Sequence, residues 1–335
     1  MQESPALLSR VADSVYWLGR YIERAENVAR FIGVNLNLHL DLPMEPAQQW
    51  QPLIDTSGDT IEFKKRYGEA TQASVIEFLT YDAANTNSIA SCLRAARENA
   101  RSVRETISSE MWTQVNSMYL NMQEQRRMPD PGQLTEIFRA IRLGCHLFQG
   151  ITDATMSHGE AWHFARMGRK LERADKTSRI LDVKYFILLP SARAVGTPYD
   201  DIHWSAVLKS VSGFGMYRKK YGRILPRDIV DFLLMDPDFP RSIRFCIRSA
   251  DESLHAITGS PMGSFGYPSE QVMGLLRAEL DFTSVDRILG GGLHEYLDSL
   301  QVKMNTLDNS ILNDFVTRSP VGQSQSQTHA AHMMD

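Results

Sequence analysis

The chain has 335 residues, of which 43% are hydrophobic and 23% charged, and a formal net charge of -4. A chain of this length and composition buries a large core as an ordinary globular protein, and its slightly negative balance gives no general pull toward nucleic acid or anionic lipid. Cys92, Cys145 and Cys246 are odd in number and lack CxxC spacing, which argues against a disulfide framework or a zinc knuckle. The strongly apolar run from Tyr185 to Leu189 is far too short to cross a bilayer, and the opening Met-Gln-Glu-Ser-Pro lacks the features of a signal peptide, so a cytoplasmic protein is expected.

In chain order the pattern reads as helix after helix. Leu7 to about Leu38 carries an apolar stripe through Val15, Leu18, Ile22, Ala25, Ala29 and Ile32 with no internal proline, which predicts a long amphipathic helix. From Asp41 to Gly68, Pro43, Pro46, Pro52, Gly58 and Gly68 interrupt the pattern, and a long connection is expected. Helix is expected again over Glu69 to Thr80 and from Ser88 to about Arg126, where alanine, glutamate and arginine favour it. Met128-Pro-Asp-Pro-Gly132 ends that segment, and Gln133 to about Ser157 forms the next helix.

The remaining expected helices run from Glu160 to Leu189, stopped by Pro190, then Ile202 to Tyr221, Arg227 to Leu234 and Ser242 to Ile257. Gly259 to Tyr267 reads as a glycine-rich loop, and Gly290-Gly-Gly292 as a hinge before a last helix, Leu293 to about Val316. No alternating strand pattern occurs, so the fold is expected to be all-α. Residues 319–335 carry too little apolar content to fold and are expected to form a disordered tail.

Two blocks of the sequence recur. Gly19-Arg20-Tyr21-Ile22-Glu23-Arg24-Ala25-Glu26 returns 149 positions later as Gly168-Arg169-Lys170-Leu171-Glu172-Arg173-Ala174-Asp175. Phe78, Leu79, Asp82, Ser88, Ile89, Cys92, Arg94 and Ala96 return at an offset of 154 as Phe232, Leu233, Asp236, Ser242, Ile243, Cys246, Arg248 and Ala250. Same order and near-equal offsets point to an internally duplicated multi-helix bundle, with halves at about 5–157 and 158–318. The halves are expected to pack with pseudo-twofold symmetry as a single domain over 1–318, neither burying its apolar face alone. Cys92 and Cys246 then occupy equivalent positions and read as small packing residues.

At about 100° per residue, Leu18, Ile22, Ala25 and Ala29 form one seam and Met167, Leu171, Ala174 and Ser178 its equivalent. Arg20, Glu23, Arg24 and Asn27 fall on the opposite face, matched by Arg169, Glu172, Arg173 and Lys176. On a solvated face such ion pairs contribute only roughly 0.3–0.5 kcal/mol each. Yet the patch recurs, and it places like-charged arginines one turn apart. Four arginines against Glu23 and Glu172 leave a positive surplus that a carboxylate, a phosphate or an acidic side chain of a partner could satisfy bidentately.

The segment Leu8-Ser-Arg-Val-Ala-Asp-Ser-Val-Tyr-Trp-Leu-Gly-Arg-Tyr-Ile-Glu-Arg-Ala-Glu-Asn-Val-Ala-Arg30 resembles the opening of the bacterial alpha-E family, named for a helical domain with a Glu-Arg motif. Ser88 to Arg101, Trp162 to Tyr185 and Asp236 to Cys246 extend the resemblance to roughly residues 5–317. It implies a setting beside, or fused to, a circularly permuted ATP-grasp ligase and a transglutaminase-like peptidase. That setting implies an ATP-dependent amide-ligation or peptide-modification pathway, with no step assigned to the helical protein. Asn27 becomes Lys176 in the second copy, so the halves need not be equivalent.

Two functions fit. A non-catalytic helical partner would bind the ligase or present its peptide, with the arginine patches holding a carboxylate. An enzyme would use Glu23 and Glu172 as a converging carboxylate pair, but adjacent arginines lower a carboxylate pKa and make it a weak general base. His158 and His163 are five apart, outside the HExxH frame, so no metal site is expected, and no cofactor is implied because a phosphate-binding loop is lacking. Tyr217-Arg-Lys-Lys-Tyr-Gly-Arg223 reads either as a basic C-terminal helical turn or as a docking patch for an acidic partner, with little to favour nucleic acid.

Overall fold

The computed structural model describes residues 7–41, 46–125, 131–187 and 198–317. The chain is all-α, with no strand among the described residues. The first part contains α1 (Ser9–Asp41), α2 (Pro46–Ser57), α3 (Thr60–Tyr67), α4 (Gln72–Ile76), α5 (Ile89–Ser102), α6 (Ser109–Glu124) and α7 (Pro131–Thr155). It continues with α8 (Glu160–Ile187), α9 (Pro198–Ser210), α10 (Phe214–Tyr221), α11 (Pro226–Met235), α12 (Ile243–Thr258), α13 (Pro268–Asp281), α14 (Val285–Gly291) and α15 (Leu293–Leu312). π-helical turns at Glu77–Tyr81 and Asn313–Thr317 extend α4 and α15.

The two long Glu-Arg helices, α1 and α8, pack against each other at the centre. α5 and α7 lie on α1, while α12 and α15 lie on α8. Both expected apolar seams are buried: Leu18, Ile22, Ala25 and Ala29 on α1, and Met167, Leu171, Ala174 and Ser178 on α8. They belong to a core that runs continuously through most of the helices, so removing either seam would open the whole body rather than one half.

The repeated second block supplies matching helix starts. Ser88 and Ser242 cap α5 and α12, accepting hydrogen bonds from the backbone N–H groups of Ser91 and Phe245. Each hydroxyl also donates to a carbonyl six residues back, that of Asp82 or Asp236. The aspartates close the preceding turns by accepting from Ala84 N and Asp238 N, each at 2.9 Å. The spacing Asp-x5-Ser is therefore a turn-and-cap device that fixes how α5 and α12 enter the bundle.

Several expected boundaries differ. The segment 41–68 contains two helices, α2 and α3, because a proline is tolerated in a first helical turn and burial of Trp50, Leu53, Ile54 and Phe63 outweighs the helix-breaking cost of Pro52. The helix expected from Ser88 to Arg126 breaks at 103–108, where Val103 ends α5 and Ser108 caps α6 by accepting from Met111 N. No glycine or proline marks that break. The helix expected from Ile202 to Tyr221 is two helices, divided at Ser212, whose φ of 51° is left-handed, and Gly213. α13 occupies a stretch given no element from sequence, and Gly290 and Gly291 close α14 instead of forming a hinge. The expected tail, 319–335, and the stop at Pro190 lie outside the described residues.

Candidate functional site: the crossing of the two Glu-Arg helices

The site begins with two glycines. A Cβ at Gly19 would overlap the carbonyl oxygen of Ala165, and a Cβ at Gly168 would overlap that of Tyr16. Tyr16 and Ala165 are themselves 149 apart, so the approach is reciprocal. Only glycine lets the two backbones meet this closely, and the meeting brings the next turn of each helix within side-chain reach of the other.

There the glutamates and arginines exchange partners. Arg24 of α1 grips Glu172 of α8 with two hydrogen bonds, from Nε to Oε1 at 2.7 Å and from Nη2 to Oε2 at 2.9 Å. Arg173 of α8 grips Glu23 of α1 in the same way, from Nε to Oε1 at 2.9 Å and from Nη2 to Oε2 at 2.7 Å. Both glutamates are 0% exposed. The face expected to offer a patch to a ligand or partner is thus an internal one, because it faces the other helix and the turns entering α5 and α12.

Further cations complete each carboxylate. Glu172 accepts from Arg20 Nε at 2.9 Å and has Lys176 Nζ at 3.8 Å. Glu23 accepts from Arg241 Nη1 at 2.9 Å, from Gln149 Nε2 at 3.1 Å and from Asn27 Nδ2 at 3.1 Å. Burial alone would push both carboxyl groups up. The guanidiniums outweigh it, Arg173 and Arg241 holding Glu23, and Arg24 and Arg20 holding Glu172, well below the usual carboxylate range. Both sites are therefore ionised at neutral pH and sealed from solvent.

The surplus of positive charge seen in the sequence is mostly absorbed inside the fold. Arg20 pairs with Asp308 of α15 as well as with Glu172. Arg241 bridges Glu23 and Glu26, and Arg30 pairs with Glu26. Burial pulls the Arg241 guanidinium down to about 10, still protonated near neutral pH. Lys176 lies between Glu172 and Asp175, with Asp175 Oδ2 at 3.2 Å. Arg169 is the exception: its nearest carboxylate is Asp153 Oδ1 at 3.7 Å, beyond hydrogen-bond reach.

A family model described as a predicted alpha-helical domain with a conserved ER motif matches residues 7–316. The chain belongs to the Alpha-E family. Its Glu-Arg pairs are Glu23-Arg24 and Glu172-Arg173. Similar curated relatives are an uncharacterized protein of Mycobacterium bovis and one of Mycobacterium tuberculosis, each 22% identical over 273 residues covering 75% of this chain and 30% of the relative. This Alpha-E chain therefore spans about a third of the length of the curated relatives it matches. No solved structure matches it.

The site residues of this Alpha-E domain that escaped the sequence reading are Glu26, Arg30, Gln149, Arg241 and Asp308. Arg241 had a signal: it directly precedes the capping Ser242, as Asn87 precedes Ser88. Asn87 Oδ1 accepts from Arg24 Nη1 at 2.7 Å, so both pre-cap residues feed the cluster. A third repeat also escaped notice. Phe63-Lys-Lys-Arg-Tyr-Gly68 recurs as Tyr217-Arg-Lys-Lys-Tyr-Gly222 at the offset of 154. Arg66 pairs with Asp82, and Lys220 pairs with Asp236 at 2.7 Å. Stacked rings, Phe63 on Tyr67 and Tyr217 on Tyr221, support each cation. The basic run at 217–223 is thus partly spent in bracing the turn before α12, while Arg218 and Lys219 remain exposed.

Among the described residues no helix is long and apolar enough to cross a membrane.

Proposed function

We propose that this chain is a non-catalytic helical partner, or a substrate-presenting subunit, of an ATP-grasp-dependent amide-ligation or peptide-modification system. The carrying observation is that Glu23 and Glu172 are fully buried and each is held ionised by two arginines. A general base must reach its substrate and accept a proton near neutral pH, and these carboxylates are arranged against both. The Glu-Arg motif then works as a clamp that locks α1 to α8, and recognition falls to groups around the clamp. In the mycobacterial relatives the matching region is 30% of a longer chain, which supports a domain acting alongside other domains. A cytoplasmic setting belongs to the same proposal, supported by three free, buried cysteines and by the ATP the ligase requires.

Mixing the full chain with the ATP-grasp ligase of the same organism tests this by size-exclusion chromatography and ligase turnover. The expected result is a stable complex and altered ligase turnover. Separate elution with unchanged turnover would overturn it, as would amide-forming or hydrolytic activity of this chain alone that disappears in a folded Glu23→Gln variant.

A further inference from the structure

The two copies of the Glu-Arg helix share one arginine, Arg20 and Arg169, whose surroundings differ. Arg20 is closed by Glu172 and by Asp308, and its ring neighbours Tyr16 and Trp17 cover it. Its equivalent, Arg169, would by the same logic bond Glu23, but Arg173 and Arg241 already occupy that carboxylate. The carboxylate that faces Arg169, as Asp308 faces Arg20, is Asp153 of α7. It stands at 3.7 Å from Arg169 and is 49% exposed, against 17% for Asp308.

Arg169 is consequently under-satisfied. Its side chain is only 14% exposed, and its Nε atom is buried with no hydrogen-bond partner. Burial, reinforced by the charge of Arg173, pulls its guanidinium below the usual arginine range. A buried charged donor without an acceptor is costly to keep, and an incoming anion would relieve that cost.

Beside it lies a small pocket, about 20 Å³ of space below an open mouth, which has room for a ligand's head group and not for its stem. Arg169 lines it together with Gln149, Asp153 and Trp162 over a floor of Leu18 and Ile22. The floor is apolar. Gln149 is fixed by Glu23 and Arg173. Arg166, also at the pocket, is engaged by Glu252 at 2.8 Å and Ser253 at 2.9 Å. One free guanidinium, a carboxylate at the rim and an apolar floor suit a single negative charge carried on a short hydrocarbon, and disfavour a dianionic phosphate.

We propose that the pocket at Arg169 is a carboxylate-binding site, taking a monocarboxylate with a short apolar stem, either free or at the tip of a partner's acidic side chain. This rests on, and sharpens, the partner role proposed above. The ligand's carboxylate would pair with the accessible edge of the Arg169 guanidinium, with its stem lying in the mouth of the pocket, and displace Asp153 from competition for the same group.

The test is an NMR titration of the full chain, followed at the Trp162 indole, with sodium butyrate as probe and butyramide as its neutral isostere. Saturable shifts with butyrate alone are expected, weakened about tenfold or more in Arg169→Gln. Because Asp153 is exposed, Asp153→Asn leaves the fold intact and is expected to tighten butyrate binding. Equal responses to butyrate and butyramide, no saturable shift, or unchanged affinity in Arg169→Gln would overturn the site. Should that variant fail to fold, unchanged or weaker binding in Asp153→Asn overturns it. If butyrate also dissociates the ligase complex, the carboxylate is the partner's; if the complex persists, it is a free small molecule. A failed titration with an intact complex would remove the pocket and leave the partner role, so the two claims fail separately.

Discussion

Arg20 and Arg169 occupy the same position in two copies of one motif, and their surroundings diverge. Around Arg20 the fold supplies Glu172, Asp308 and two aromatic rings. Around Arg169 it supplies one distant aspartate and an open pocket. The contrast separates two uses of a repeated residue. Where both copies are satisfied internally, as with Arg24 and Arg173, the residue holds the helices together. Where one copy is left short of a partner, recognition has room to enter.

The comparison predicts first that the two clamps are equally indispensable. Glu23→Gln and Glu172→Gln each remove the carboxylate from a buried cluster and leave one arginine, Arg173 or Arg24, with no carboxylate partner, so each is expected to cost about 3–5 kcal/mol in urea unfolding. Losses below about 1 kcal/mol would show that the cluster is solvated. The pH dependence follows from the same groups. Their folded pKa values are depressed, so the stability they contribute is present above the unfolded glutamate value of about 4.3 and is lost as pH falls below it. Melts across the acid range are expected to show a steep decline that Glu172→Gln flattens.

Next come the glycines beneath the clamps. Gly19→Ala and Gly168→Ala each drive a methyl into the backbone of the other helix and are expected to cost about 1–3 kcal/mol by thermal melt. A marked inequality between them would break the equivalence of the two approaches.

A residue peculiar to the second copy sharpens the contrast. Lys170 stands where the first copy has Tyr21, is buried, and lies 4.5 Å from the centre of the Phe245 ring. Burial holds its amine down to about 8. Below that pH the fold carries a charged, desolvated amine. As pH rises from about 8 toward the unfolded value of about 10.4, the folded state sheds the proton while the unfolded chain keeps it, and stability increases. Lys170→Met is therefore expected to stabilise the protein by about 1–3 kcal/mol at pH 7 and to abolish that alkaline rise. Calorimetric melts at pH 7 and 9.5 would check both.

The smallest effect falls on the rim. Asp308→Asn is expected to cost about 1–3 kcal/mol because Arg20 loses a charged partner, whereas Asp153→Asn is expected to stay within about 0.5 kcal/mol of the parent protein. Similar costs in chemical denaturation would mean that Asp153 closes Arg169 as tightly as Asp308 closes Arg20.

The sequence made the helical class readable because apolar residues recur at helical spacing, and both apolar seams lie where that spacing put them. The sequence read the Glu-Arg face as a patch available to a ligand or partner, and its closure inside the fold was not legible for a physical reason. Helical periodicity shows which residues share a face but not what covers it, and the covering groups are remote in sequence: Arg241 lies 218 residues from Glu23, and Asp308 lies 288 from Arg20. Local signals failed in a different way at 103–108, where one helix ends at Val103 and a serine cap at Ser108 starts the next without glycine or proline. At Pro52 the opposite happened, and tertiary burial overrode a genuine breaker. The third repeat was legible from its offset but short, and its chemistry emerged only once Arg66 and Lys220 were found on Asp82 and Asp236.

The central claim, that one motif position is closed in the first copy and open in the second, is tested most directly by unfolding Arg20→Gln and Arg169→Gln side by side in urea. A loss of about 2–4 kcal/mol is expected for Arg20→Gln, because Glu172 and Asp308 each lose a buried guanidinium. A change of less than about 1 kcal/mol is expected for Arg169→Gln, whose guanidinium has no close acceptor to lose. Equal losses at the two positions, or a larger loss at Arg169, would show that the two copies are closed alike.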